Sequence, residues 1–569
     1  MNGQTLVRLV IQHGVIFRLD YKSPYNVLSL SFHVRQYPKP PWHQLRTNAS
    51  LACRATLVSI CFPHESVVQC HHLPRKLRRL SMGARSKLVG KLEHLPQQLT
   101  QMIMRTKFDV PAFAKLPPKL THLTLGNNFN QPINDLPDGL THLNLGFSFD
   151  QPVDFLPQTL THLTLSSSFN QPIDSLPFGL THLTLGGHFD QPINNLPKKL
   201  THLVLGYRFN QPINNLPESL THLTINGLFN QPIKKLPQKM THLALGDKFK
   251  QSLTTTEGPF GTTEGPFGNN SPPQKLTHLT LCRFSGRGLD LPQSLTHLTL
   301  DRKFNKPLFL KDCLFSLTHL TLGFRFNHPV NCLPRNLTYL SLGHRFNHSL
   351  NKRDLPSSLT HLILGSSFDQ PVNDLPLLLT HLTLGYWFNQ QVNQLPQRLS
   401  HLVLGDTFNQ CVDNLPQSLI HLTLGCKFNM PIDRLPPGLT HLTLGWSFNR
   451  YINNLPRELT HFVLGEKFDH SLKNLPPKLT HLTLGWSYDL PISNLPVSLN
   501  MITLTSGFND PVEGPPYLLK YLSSSSSSSD GSLQPPFSLE KLIYITLGSS
   551  YAISLEDVPP TFFQQIKKT

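Results

Sequence analysis

The chain has 569 residues, a formal net charge of +17, 50 Pro, 35 Phe and 33 Gly, but only 15 % charged residues. Proline exceeds and charge falls short of average usage, about 5 % and about 25 % respectively. The apolar and aromatic content excludes global disorder, the glycine count excludes a collagen-like helix, and the lack of any run of about 18 apolar residues leaves no expected membrane span.

Residues 1–72 form a distinct N-terminal region with apolar stretches at Thr5–Phe17, Val27–Val34 and Leu51–Phe62 and a Pro-rich turn at Tyr37–Trp42. Arg8 and His13 interrupt the first stretch, and no small-residue cleavage pattern follows it, so no signal peptide is expected. β-branched residues are common there and helical periodicity is poor. The expected role is a basic cap, because the open end of a repeat stack exposes its core. Residues 1–100 carry 14 Lys/Arg against Asp20, Glu65 and Glu93, so the basic balance is assigned mainly to this end. An acidic or nucleic-acid partner would have to bind there. The cluster Arg75–Arg79 reads more simply as a solvated face, and nucleic acid is disfavoured as a partner.

From Leu73 the chain is one repeated unit, L-P-x-x-L-T-H-L-T-L-G-x-x-F-N-Q-P-I-N-x. Anchor residues fall every 20 positions from Leu120 to Met240 and again from Leu359 to Leu499, with irregular units at Leu276, Leu295, Leu317 and Leu337. Repeats therefore occupy 73–250 and 272–522. Between them, 251–271 is a loop insertion in which Thr255–Gly261 is copied as Thr262–Gly268. A Ser-rich low-complexity segment at 523–536, expected to be flexible, and a degenerate last repeat with a C-terminal cap at 537–569 complete the chain.

The segment Leu140-Thr141-His142-Leu143-Asn144-Leu145 reads as a short strand, with Leu143 and Leu145 on one face and His142 and Asn144 on the other. Gly146 is expected to let the chain turn. Two prolines per unit forbid a helix interior, so the return path should be extended and turn-rich. One unit cannot cover its own apolar face, whereas stacked units can. The expected fold class is an all-β-rich repeat solenoid: a parallel β stack of 20-residue units with an extended, turn-rich convex side. A buried phenylalanine column, Phe129, Phe149, Phe169 and onward, should run beside the leucines. The Asn or Asp after each Phe suits a local turn repeated on every rung.

The L-x-x-L-x-L core resembles a leucine-rich repeat. The pentad Phe129–Ile133, repeated at Phe209–Ile213 and Phe229–Ile233 and preceded by Leu-Thr-Leu-Gly, is similar to the FNIP repeat family. That resemblance implies a recognition solenoid. Some members of the family carry an F-box before the repeats, which implies a substrate receptor whose partner is a ubiquitin-ligase adaptor; residues 1–72 show no convincing F-box pattern.

Histidine fills the first outward strand position in 17 units, including His142, His162, His182, His202, His222, His381, His401, His421 and His441. Stacking turns these into a ladder beside a threonine ladder, expected on the concave side with imidazoles edge to edge. Neighbouring imidazoles should titrate below the free value of about 6.5. No carboxylate is placed to orient the rings, so no metal or other cofactor is expected. The two residues before each Phe vary freely and include Tyr386-Trp387, Trp446 and Trp486; exposed aromatic residues are common interface anchors. The candidate ligand-binding residues are these histidines together with Trp387, Trp446 and Trp486.

No nucleophile with a base and orienter is visible, and no Gly-rich phosphate loop follows a strand. The expected function is a non-catalytic scaffold for protein partners, not an enzyme. Eight scattered cysteines without a C-x-x-C pair suit a reducing, cytoplasmic home. The sequons at Asn48, Asn336 and Asn347 keep an alternative open, an extracellular or surface adhesion solenoid that binds glycans.

Overall fold

The structure is a computed structural model. It describes residues 67–105 apart from 74 and 84–86, 116–249 apart from 234, 273–281, 291–310 apart from 301, and 314–499 apart from 486, 489 and 491–494. It also gives the strand backbones at 7–11, 15–22, 27–34, 56–62, 257–258, 261–262, 501–505, 521–525 and 544–546. The chain divides into two compact units, Met1–Arg283 and Phe284–Thr569.

In the first unit each L-T-H-L segment becomes a strand of three or four residues, as at His142–Asn144 and His202–Leu205. These strands pair in parallel, each with the next rung, from Arg79–Met82 and Gln101–Met104 through His122–Leu125 to His242–Leu245. The register never slips: His142 opposes His162 and Leu143 opposes Leu163. A slip of one residue would turn every leucine outward, so the buried face fixes the register. His242 opposes His278 directly, and the sheet passes the 251–271 insertion in register. Within that insertion Glu257–Gly258 pairs antiparallel with Gly261–Thr262.

The described backbone of the N-terminal region is strand. Val7–Ile11, Val15–Lys22 and Val27–Val34 pair antiparallel in order, and Val27–Val34 then runs parallel to Thr56–Phe62, which pairs with Arg79–Met82. The Pro-rich turn at 37–42 lies outside the described residues.

The second unit repeats the parallel pattern from His297–Leu300 through Tyr339–Ser341 to His481–Leu484, Met501–Thr505 and Tyr521–Ser525. The Ser-rich segment beyond Ser525 lies outside the described residues, as does most of the C-terminal cap.

One rung shows how the core closes. Leu140, Leu143, Leu145, Phe149, Val153 and Leu156 are all buried. Burial of such side chains contributes about 1.5–3 kcal/mol each. Two hydrogen-bonded turns bring them to the same side: Leu140 N–H donates to Pro137 O at 3.0 Å and Phe149 N–H to Gly146 O at 3.4 Å. These are the P-x-x-L and G-x-x-F steps of the repeat, each an i to i+3 turn.

The phenylalanines stack with ring centroids 6.0 Å apart and planes 5° apart at Phe129–Phe149. The histidine rings on the opposite side of the sheet are only 4.1 Å apart at His142–His162. Strands in a sheet lie about 4.8 Å apart. Consecutive rungs therefore fan open on the phenylalanine side and close on the histidine side. The histidine ladder lies on the narrow side of this local wedge.

The glycine after each strand has a different purpose from the one its sequence position suggests. Among the described residues only Gly90 and Gly227 have φ in the left-handed region. Elsewhere a Cβ would overlap the backbone of the preceding rung: on Gly146 it would meet the carbonyl of Gly126, and on Gly405 that of Gly385. Glycine at these positions serves close approach of successive rungs and not turning; one rung accommodates Ser166 in the same place, its hydroxyl donating to Phe149 O at 2.7 Å.

A substitution pair separates the two roles. Gly405→Ala should lower the thermal midpoint, with a stability loss of about 1–3 kcal/mol. Gly438→Ala should leave the midpoint unchanged or slightly higher, because its nearest neighbour, Gln417 O, would be 3.9 Å away. Equal midpoints for the two variants would refute the close-approach account.

Candidate interaction surface

The strand's outward face is built from two side chains per rung acting together. Thr141 Oγ1 lies 3.0 Å from the carbonyl oxygen of Thr121 and 2.9 Å from Nδ1 of His142. A hydroxyl carries one proton, and a carbonyl can only accept. The proton therefore goes to Thr121 O, and Nδ1–H of His142 donates to Thr141 Oγ1. This assigns the Nδ1–H tautomer and leaves the lone pair on Nε2. The same pair of contacts recurs at Thr161–His162, Thr181–His182, Thr201–His202 and Thr221–His222. In the second unit it recurs at Thr380–His381, at Thr440–His441 and, with serine, at Ser400–His401.

The repeat contains its own control. Before His421 stands Ile420, which has no hydroxyl. The His421 and His441 rings are 25° apart, whereas His142–His162 and His381–His401 are 11° and 13° apart. His421 nonetheless stacks within 13° of His401, so the hydroxyl sets a ring's tautomer and the stacking itself does not require it. The rings stack face to face, which corrects the edge-to-edge expectation: in-register strands bring imidazoles of consecutive rungs to 4.1 Å with planes 11° apart at His142–His162. Threonine is the orienting residue that reasoning about outward strand positions missed, although its constant place before each histidine was the available signal.

The candidate histidines are thereby gathered into columns. His142, His162, His182, His202 and His222 form one run in the first unit. His381, His401, His421 and His441 form another in the second. Tyr339 interrupts the second-unit column, with its ring 5.4 Å from His319 and 6.2 Å from His361. Partial burial, and then the neighbouring imidazoles, hold His162 and His441 down from the ordinary 6.5 to about 4. The same causes lower His142, His202, His222, His381, His401, His421 and His481. At neutral pH these rings are uncharged hydrogen-bond acceptors. Among the described residues no group of three or more His, Cys, Asp or Glu could hold a metal ion.

A second ladder runs along the turn edge. Asp150 N–H donates to Asn130 Oδ1 at 2.9 Å, Asn170 N–H to Asp150 Oδ1 at 2.8 Å, and the pattern continues through Asn429 and Asn449. The Asn or Asp after these Phe residues thus bonds the next rung, 20 residues away in the regular repeats and 22 at Asn305 and Asn347. Both sequon asparagines of the repeats are used structurally: Asn336 Nδ2 donates to Phe315 O, and Asn347 Oδ1 accepts from Asp369 N–H.

The residues before each Phe sit in the turn just past the strand, as expected. Trp387 is 56 % exposed, Trp446 51 % and Tyr386 44 %. Tyr386 and Trp387 pack edge to face at 4.8 Å, and Lys467 Nζ lies 4.5 Å above the Trp446 ring. Trp486 lies outside the described residues.

The FNIP Repeat family pattern matches residues 132–168, 169–203, 193–227, 346–386, 388–427, 428–467 and 468–507. Among solved structures, the chain is similar to CroV588, described as a novel circular LRR protein, at 34 % identity and a TM-score of 0.64 over 95 % of this chain and 85 % of that one. YopM from Yersinia enterocolitica WA-314 matches at 21 % identity and a TM-score of 0.39 over 84 % of this chain and 91 % of its own. An internalin (inlF) from Listeria monocytogenes matches at 17 % identity and a TM-score of 0.35 over 50 % and 87 %. No curated protein sequence matches the chain.

The depressed histidines make stability depend on pH in a stated direction. On unfolding, each regains a value near 6.5 and binds a proton that the folded chain excludes. Stability is fully present above pH 6.5 and is lost as pH falls toward about 4, the value held by His162 and His441. The thermal midpoint should fall over that window, and fall less steeply in a variant with His162→Gln and His441→Gln. Midpoints that stay level across the window would contradict the neutral ladder.

Proposed function

The chain belongs to the FNIP-repeat proteins, with a leucine-rich-repeat-like solenoid, and from this premise we propose that it is a non-catalytic scaffold that binds a protein partner. One observation carries the reading. Core, turns and both ladders repeat from rung to rung, while the turn positions before each Phe vary and expose Tyr386, Trp387 and Trp446. Half-exposed aromatic residues on a rigid frame are what interface anchors require, because little side-chain entropy is lost on binding. The uncharged Nε2 acceptors of the histidine ladder suit a partner that brings hydrogen-bond donors.

The finer reading is a cytoplasmic substrate receptor for a ubiquitin ligase. Cys70, Cys332, Cys411 and Cys426 are free thiols, which fits a reducing compartment. Among the described residues no helix is long and apolar enough to cross a membrane. An F-box is helical, whereas the described backbone at Val7–Ile11, Val15–Lys22, Val27–Val34 and Thr56–Phe62 is strand. The scaffold reading therefore does not depend on an F-box.

The test is a crosslinked pull-down of the full tagged chain with quantitative mass spectrometry. A specific partner should be recovered, and recovery should drop about 10-fold or more with Tyr386→Ala, Trp387→Ala and Trp446→Ala combined. Ligase adaptor subunits among the recovered proteins would support the finer reading. A partner retained in full by the triple variant, or no specific partner, would overturn the assignment of this rim.

A further inference from the structure

The charge of the chain has a second locus. Residues 302–353 carry nine Lys/Arg and a single acidic residue, Asp312. The irregular repeats place Arg302, Arg325 and Arg345 in the turn positions before Phe304, Phe326 and Phe346 of three successive rungs. All three arginines are exposed. No described carboxylate forms an ion pair with any of them.

Two of the three guanidinium groups, those of Arg302 and Arg345, are held by an aromatic step. Arg302 lies 5.3 Å and Arg345 5.9 Å from the centre of the Phe324 ring, and His344 stacks on that ring at 4.2 Å with planes 7° apart. Arginine over an aromatic face keeps its charge and its fork of donors while losing freedom, so less order remains to be imposed on binding. The backbone supports the arrangement: Arg325 N–H donates to Arg302 O and Arg345 N–H to Phe324 O, both at 3.0 Å.

We propose that this rim docks an extended acidic peptide segment of a protein partner, its Asp, Glu or phosphorylated side chains paired with Arg302, Arg325 and Arg345. The proposal rests on the scaffold reading and names a second contact on it. Two rung steps span about 10 Å, and an extended chain repeats a same-face side chain about every 6.7 Å, so such a segment sets two acidic side chains against the three arginines. Carboxylate and phosphate both fit the guanidinium fork in bidentate fashion. Single-stranded nucleic acid fits less well. It would need a free aromatic face for its bases, and Phe324 is occupied by His344 on one side with Arg302 nearby.

Fluorescence anisotropy of the full chain with a labelled deca-glutamate peptide tests this. The peptide should bind, weaken with added salt, and bind about 10-fold or more weakly to a variant with Arg302→Ala, Arg325→Ala and Arg345→Ala. That variant should keep its thermal midpoint, since the three side chains are exposed. A control with Arg75→Ala, Lys76→Ala, Arg78→Ala and Arg79→Ala should bind as the natural chain does. No binding, equal binding by the triple variant, or tighter binding of a ten-nucleotide single strand at the same site would each overturn the proposal. Failure here with partner capture through Tyr386, Trp387 and Trp446 intact refutes this site alone. Peptide binding without partner capture upholds this site and refutes the broader reading.

Discussion

The carbonyl oxygen of Thr121 receives three donors from the next rung: Thr141 N–H at 2.9 Å, His142 N–H at 3.0 Å and the Thr141 hydroxyl at 3.0 Å. The same oxygen does so at Thr141, Thr161, Thr181 and Thr201 for the rungs that follow. These bonds hold the register that leucine burial selects: at Ile420, which has no hydroxyl, the strands still pair in register. With the register set, leucines stack on leucines and Phe on Phe without choice. The hydroxyl's remaining valence then sets the tautomer of the histidine ring, while partial burial and the neighbouring imidazoles keep it neutral.

Repetition also explains where the sequence could be read and where it could not. Parallel strands, turn-rich returns and the leucine and phenylalanine columns were legible because burial is periodic, and periodicity is visible in a string of letters. Relations between rungs were not. The glycine column looked like a turning device and is a packing device; the overlap at Gly405 involves Gly385, 20 residues away in the chain. Asn130 looked like a turn residue and bonds Asp150. Thr141 looked like an ordinary strand residue and proves to orient His142. A contact between copies of the same position leaves no spacing signal beyond the period itself. The basic cluster at Arg302, Arg325 and Arg345 was hidden differently, by an N-terminal charge excess that drew attention to the other end of the chain.

The surface divides by the same logic. What the stack needs is constant, and what it does not need is free to vary. Two turn positions per rung escape every ladder: each contributes backbone to its neighbour, as Ser447 N–H does to Cys426 O at 2.8 Å, but no side chain to the core. Those positions hold the exposed tryptophans in one stretch and the arginines in another. A rigid frame that offers adjustable side chains at a fixed pitch is suited to recognising partners of different chemistry along its length, which is how repeat proteins build extended binding surfaces.

The hydroxyl-directed ladder is the centre of the account, and the proton on each imidazole reports it directly. Long-range proton–nitrogen correlation spectra of histidine-labelled chain at pH 7.5 distinguish the two neutral tautomers from the imidazolium. The expected result is a dominant set of neutral rings protonated at Nδ1, with Thr380→Val shifting His381 out of that set. A dominant set protonated at Nε2, or doubly protonated, would contradict the hydroxyl-directed hydrogen bond and the neutral outward face.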